Sequence, residues 1–144
     1  MEEPDYLFVY GTLRKGGNNP VTKEIINDLE WIGEAEIKAR MYDIGKYPGA
    51  LRAPGKKTVI KGEVLKIIHP GKVFRILDEY EGFDPDEPSK SEYRRDPEKL
   101  QLPDGREIVA WVYWYNFPVQ GKRLIRHKDY FEYLKKKKSA LYGT

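Results

Sequence analysis

The chain has 144 residues, 40% of them hydrophobic and none of them cysteine. That supports one domain with one core, residues 1–144, and excludes disulfides, thiolate metal sites and a cysteine nucleophile. The longest apolar run, Ile108 to Tyr115, falls far short of the about 20 residues a membrane span needs, and the acidic start Met1–Asp5 has no leader pattern, so the expectation is a cytoplasmic protein.

The first element is Tyr6–Tyr10, aromatic and β-branched like a buried strand. Gly11 breaks the run and permits a sharp turn or a close approach to the main chain. Thr12 to Asn19 is small, polar and basic. A core strand, a glycine and such a loop form an anion cradle of backbone N–H groups, or simply a strand running into a surface loop. A phosphate loop is excluded, because Gly16 is followed by Gly17-Asn18 and not by Lys-Ser/Thr.

Asn19-Pro20 predicts a helix start, with Val21, Ile25 and Leu29 on one apolar face and Gly33 as the end. Ala35 to Ile44 alternates, with Ile37, Ala39 and Met41 on one side, as in a half-buried strand. Gly45 to Gly49 reads as a turn. Val59 to Ile68 reads as a strand, with Gly62 at a bulge or a close approach. A helix follows Pro70 and stops at Gly82. Asp84 to Ser91 is a polar loop. Arg94–Leu102 and Glu107–Tyr115 form a hairpin through Pro103-Asp104-Gly105. A short helix from about Lys128 to Lys137 ends the chain.

The net charge of +3 is uneven: the basic C-terminal tail, about 120–144, carries eight Lys/Arg against two Asp/Glu, which leaves residues 1–119 acidic. Such a tail reads as the solvated end of a helix, or as a contact for nucleic acid or acidic lipid. Strands outnumber helices, so the expected fold class is α+β, a small mixed β-barrel with packed helices, with an open α+β sandwich as the alternative.

Few groups can do chemistry. His69 and His127 lack partners at metal-ligand spacing, so no metal site is expected. Ser89, Ser91 and Ser139 lie outside any nucleophile elbow. Carboxylates remain. On a helical wheel with Val73 at the origin, Leu77 falls near ~40°, Phe74 near ~100° and Glu81 near ~80°, on the apolar face. Arg75, Asp78 and Glu79 fall near ~200°, ~140° and ~240°, outside it. Asp78 and Glu79 are therefore expected to face solvent or surface cations. Burial and the negative end of the helix dipole would raise the pKa of Glu81, as a general base near neutral pH requires. A helix that had already ended would instead leave Glu81 solvated.

Tyr10-Gly11-Thr12-Leu13-Arg14, Tyr47-Pro48-Gly49, Leu77-Asp78-Glu79-Tyr80-Glu81-Gly82 and Tyr93-Arg94-Arg95, in this order, resemble the γ-glutamylcyclotransferase family and its AIG2-like branch. The resemblance spans Tyr6 to about Tyr115. It implies a small mixed α/β barrel, a substrate loop of Tyr10, Gly11, Thr12 and Leu13, and Glu81 as the catalytic acid/base. Tyr47, Tyr93, Trp111 and Tyr115 are candidate pocket walls. The implied reaction folds a γ-glutamyl group onto itself, forms 5-oxoproline and releases an amine, with no cofactor. The partner is then a small-molecule γ-glutamyl substrate, with no nucleic acid and no membrane. A single-stranded nucleic-acid module and a catalytically silent interaction domain remain open on the residues alone. The Gly82–Glu92 loop is longer than the resemblance leads one to expect.

Overall fold

A computed structural model describes residues 4–55 and 57–142, with side chains as far as Lys138. Chain order is β1 (Tyr6–Val9), α1 (Pro20–Ile25), β2 (Leu29–Asp43), β3 (Pro48–Arg52), β4 (Val59–Ile67), α2 (Pro70–Glu81), β5 (Tyr93–Gln101), β6 (Glu107–Tyr115), β7 (Arg123–Ile125) and α3 (Tyr130–Tyr142). Neighbouring strands run β2-β4-β1-β6-β5, and a pairing between Glu36 of β2 and Gln101 of β5 closes the ring. The result is a closed five-stranded mixed barrel with three helices. Among the described residues only β1 and β6 pair in parallel, and β3 and β7 extend the sheet along β2.

The alternating side chains sort into two cores, because successive strand residues point to opposite faces. Phe8, Ile37, Met41, Val64 and Val112 fill the barrel. Leu7 and Val9 point the other way and pack with Ile25 of α1 and Val73 and Leu77 of α2. The barrel thus presents one apolar outer face, and two helices cover it. α3 adds Tyr130 and Tyr133 to the barrel core. The basic tail is anchored there: Lys137 Nζ donates to Asp43 and Lys128 Nζ to Glu36, each at 2.8 Å.

Two expectations are corrected, and one alternative is decided. The first helix ends at Ile25, not at Gly33; a single 3-10 turn follows, and β2 begins at Leu29. Leu29 fits the helical spacing but pairs with Ile67, and long-range strand pairing overrides the local pattern. Gly33 lies inside β2, next to a register shift that leaves Ile32 as the extra residue. Pro48-Gly49 belongs to β3, so the turn is confined to Ile44–Tyr47, where the Ile44 N–H bonds the Tyr47 carbonyl at 3.1 Å. Gly62 is a close approach and not a bulge. The β2–β4 register runs through it unbroken, and a Cβ there would overlap the Val9 carbonyl and the Phe8 ring.

Candidate active site

β1 ends at the mouth of the barrel and hands the chain to the Tyr10–Leu13 segment. Tyr10 points inward. Its hydroxyl donates to the Tyr113 carbonyl at 2.6 Å and accepts from the Ala50 N–H at 3.2 Å, so it is spent on joining β1, β6 and β3. Gly11 leaves little room for a side chain: a Cβ would stand 3.1 Å from the Pro48 ring, closer than an ordinary contact. The loop then closes in tight turns, Arg14 N–H to the Gly11 carbonyl at 3.1 Å and Gly17 N–H to the Arg14 carbonyl at 2.9 Å. Among the described residues, the N–H groups of Gly11, Thr12 and Leu13 find no protein acceptor.

The loop is held from below and from the side. Arg14, almost fully buried, pairs with Asp129 at 2.9 Å and lies 4.4 Å over the Phe131 ring. Glu63 accepts from the Lys15 N–H at 2.7 Å. Asn19 caps α1 through its Oδ1 and donates from Nδ2 to both Thr12 Oγ1 and Tyr80 Oη, each at 2.9 Å. One buried amide therefore ties the loop to α2. Sequence reading saw Asn19 only as a helix cap.

α2 delivers the acid. Its last residue is Glu81, and Gly82 stops the helix in the left-handed conformation, φ 68°, with its N–H on the Asp78 and Glu79 carbonyls. Glycine suits that conformation because it has no Cβ to clash. Glu81 lines one cavity of about 80 Å³ together with Tyr10, Gly11, Thr12 and Leu13 and with Tyr47, Tyr93 and Tyr113. Burial, then the charges of Glu92 and Asp78, push its carboxyl from 4.5 up to about 8.

Several site expectations change in detail. The aromatic walls of the cavity include Phe8, Tyr47, Tyr80, Tyr93 and Tyr113. Tyr115 stands behind the wall, edge-on to Tyr93 with ring centres 5.3 Å apart. Trp111 stands outside it against Phe74. Asp78 does not face the surface. Arg95 grips it from Nε at 2.9 Å and Nη2 at 3.1 Å, and the Tyr113 hydroxyl donates to it at 2.7 Å. Glu79 is exposed, as the wheel predicts. Among the described residues no three metal-type ligands cluster; His69 instead meets Asp28 at 2.8 Å.

Glu92 is the residue that sequence reading missed. It lines the same cavity and accepts from the Tyr47 hydroxyl at 2.7 Å. Burial and Glu92 push the Tyr47 phenol up, so it remains a donor. The long loop positions Glu92: its N–H bonds the Gly82 carbonyl at 3.1 Å, and its carbonyl accepts from the Asn116 N–H at 2.8 Å.

Comparison with known proteins identifies the family and the fold. The sequence model described as gamma-glutamyl cyclotransferase, AIG2-like, matches residues 7–132. The chain is 34% identical over 128 residues to the gamma-glutamylcyclotransferase family protein YtfP of Escherichia coli K12, covering 88% of this chain and 96% of that one. The solution structure of Escherichia coli YtfP superposes with a TM-score of 0.60 at 29% identity, over 88% of this chain and 96% of that one. An AIG2-like protein from Mus musculus shares the fold, with a TM-score of 0.67 at 24% identity over 90% and 89% of the two chains. The barrel, the loop after its first strand and the match along nearly the whole sequence lead to one conclusion: the chain belongs to the γ-glutamylcyclotransferase, AIG2-like family.

Proposed function

We propose that the protein cyclises a γ-glutamyl amine or γ-glutamyl amino acid to 5-oxoproline and a free amine, with Glu81 as the general acid/base. The observation that carries this reading is the shared cavity. It brings a carboxyl raised to about 8 together with the N–H groups of Gly11 to Leu13.

The roles follow from the chemistry. The α-amine of the substrate is the nucleophile and its own γ-carbonyl the electrophile, so the protein need only fold the chain and move protons. Ionised Glu81 takes a proton from the α-ammonium. The freed amine attacks the γ-carbon, and the carbonyl oxygen gains negative charge. The N–H groups of Gly11, Thr12 and Leu13 receive that oxygen. Protonated Glu81 gives its proton to the departing nitrogen and takes the second proton from the ring nitrogen as the C–N bond breaks, which leaves the neutral lactam; that second proton leaves with the released amine, and Glu81 is ionised again. A carboxyl near 8 suits both halves, since it both takes and gives a proton close to neutrality.

The test is a screen of γ-glutamyl amines and amino acids for 5-oxoproline release. Glu81→Gln, which keeps shape and loses the base, should turn over at least about 10²-fold more slowly with its fold intact. Turnover by Glu81→Gln at the wild-type rate would remove Glu81 from the mechanism.

A further inference from the structure

The chain carries 26 Lys/Arg, yet none of them lines the candidate cleft among the described residues. Two carboxylates do, Glu81 and Glu92. Asp78, one turn earlier on α2, has Arg95 as its counter-ion. Glu81 has no such partner: burial and like charge dominate its surroundings, and no donor or cation within the described protein offsets them. Glu92 has one neutral partner, Tyr47, which occupies Oε2 and leaves Oε1 to accept. Two carboxyl groups in a small cavity do not both ionise near neutral pH, and the raised Glu81 carboxyl is that effect, unless a positive charge stands between them.

The walls suit a cation as well. The cavity is flanked by the rings of Tyr47, Tyr80, Tyr93 and Tyr113. Aromatic faces attract ammonium groups, more strongly where water is excluded. Tyr47 and Tyr93 are packed edge to face with centres 5.9 Å apart, which fixes the rings beside Glu92. The backbone of Glu92 is pinned at both its N–H and its carbonyl, so its carboxylate is presented and not left to swing. The bond from its N–H to Gly82 sets it beside the residue that follows Glu81.

We infer that Glu92, held by Tyr47, is the receptor for a primary ammonium group, and that it places the α-ammonium of a γ-glutamyl compound beside Glu81. The inference rests on the reaction proposed above for the identity of that ammonium. The site itself stands on the uncompensated carboxylate pair and its aromatic walls. A bound ammonium supplies the missing counter-charge. It bonds Oε1 of Glu92, while Glu81 faces the same nitrogen and takes its proton. The ligands of this subsite are compounds with a free α-amine; N-acylated γ-glutamyl compounds are rejected, because an amide nitrogen carries no charge.

Binding of L-glutamate and of glutarate tests this without turnover, since the two differ only in the α-ammonium. Calorimetry on the full chain near neutral pH should show L-glutamate at least about tenfold tighter than glutarate, the scale of one hydrogen bond to a charged group. Glu92→Gln should bring the two affinities together, with retention of fold checked by circular dichroism. Glu92→Asp keeps the charge one methylene back. It should weaken L-glutamate several-fold and leave glutarate unchanged, and it carries the test should Glu92→Gln not fold. Equal affinities in the wild type, no binding of L-glutamate, or an undiminished preference in folded Glu92→Gln would overturn the inference. A Glu92-dependent preference without 5-oxoproline release from any γ-glutamyl compound would sink the proposed reaction and leave the ammonium site standing.

Discussion

Asp78 and Glu81 stand one turn apart on α2, and Asp78 alone is gripped by an arginine. Arg95 holds Asp78 with two nitrogens, at 2.9 and 3.1 Å. Glu81 faces a cavity with Glu92 instead, and its carboxyl rises to about 8. The same helix thus carries one carboxylate spent on structure and one left available for chemistry.

The raised carboxyl has a stability signature. Its folded pKa, about 8, lies above the ordinary 4.5, so the folded chain holds this proton more tightly than the unfolded one. Below 4.5 both states are protonated and nothing is lost; as pH rises through about 8 the folded state bears the full cost of ionising Glu81. The cost is roughly 3–5 kcal/mol at about 1.4 kcal/mol per pKa unit. Glu81→Gln should therefore match the wild type in Tm at acid pH and exceed it in alkali. Parallel Tm curves across the range would refute this assignment of the carboxyl.

On the proposed reaction the same group sets the pH profile of the rate. With Glu81 as base, kcat/KM should climb about tenfold per pH unit below the turning point and level off above about 8. Glu81→Gln should lose that dependence along with most of its rate. A wild-type profile flat from about pH 6 to 8 would show that another group, or none, moves the proton.

Asp78→Asn should act on stability. Its side chain is 13% exposed and that of Arg95 15%, so the amide would leave a half-buried guanidinium without its counter-charge. The expected loss is roughly 2–4 kcal/mol, read from urea or thermal unfolding. Arg95 also stacks on Phe74 and Trp111, which hold it in place for a pairing that no longer exists. A change under about 0.5 kcal/mol, the level of an ordinary surface substitution, would mean that solvent already screens the pair.

Two glycines inside strands should answer alanine in opposite ways. Gly62→Ala forces a methyl into the Val9 carbonyl and the Phe8 ring and should cost about 2 kcal/mol or more. Gly33→Ala meets nothing within 4 Å and should stay within about 1 kcal/mol of the wild type, on either side. Denaturation midpoints measure both; similar losses would mean that strand propensity, not contact, decides the cost.

Local pattern reached some of this fold and not the rest, for physical reasons. Ile37, Ala39 and Met41 alternate because one face of β2 lines the barrel, and alternation survives in any sequence that builds such a face. Glu81 stood out because a charge on an apolar face breaks the helical rule. β3 was hidden, since Tyr47-Pro48-Gly49 has turn composition. Gly49 is glycine for another reason: a Cβ would sit 2.7 Å from the Tyr115 ring. Asp78 lies outside the apolar face of α2, but Arg95 arrives from β5, which no wheel can show. Glu92 left no periodic trace at all. Its place in the cleft depends on backbone bonds to Gly82 and Asn116, and those are properties of the closed barrel.

The bond between the Glu92 N–H and the Gly82 carbonyl also separates site from loop. Both carboxylates lie at or beside the two ends it fastens, and the residues between hang outside that clasp. The intervening stretch keeps its own house: Asn116 Nδ2 gathers the Pro88 and Ser91 carbonyls at 3.1 and 2.9 Å, and Ser91 Oγ accepts from the Asp84 N–H at 2.8 Å. Doubling the length of a flexible loop costs only about 0.6 kcal/mol in closure entropy. The stretch can therefore grow, shrink or change composition over evolutionary time while the spacing of the two acids holds. Variation there would alter what approaches the mouth of the cleft and leave untouched the chemistry at its floor.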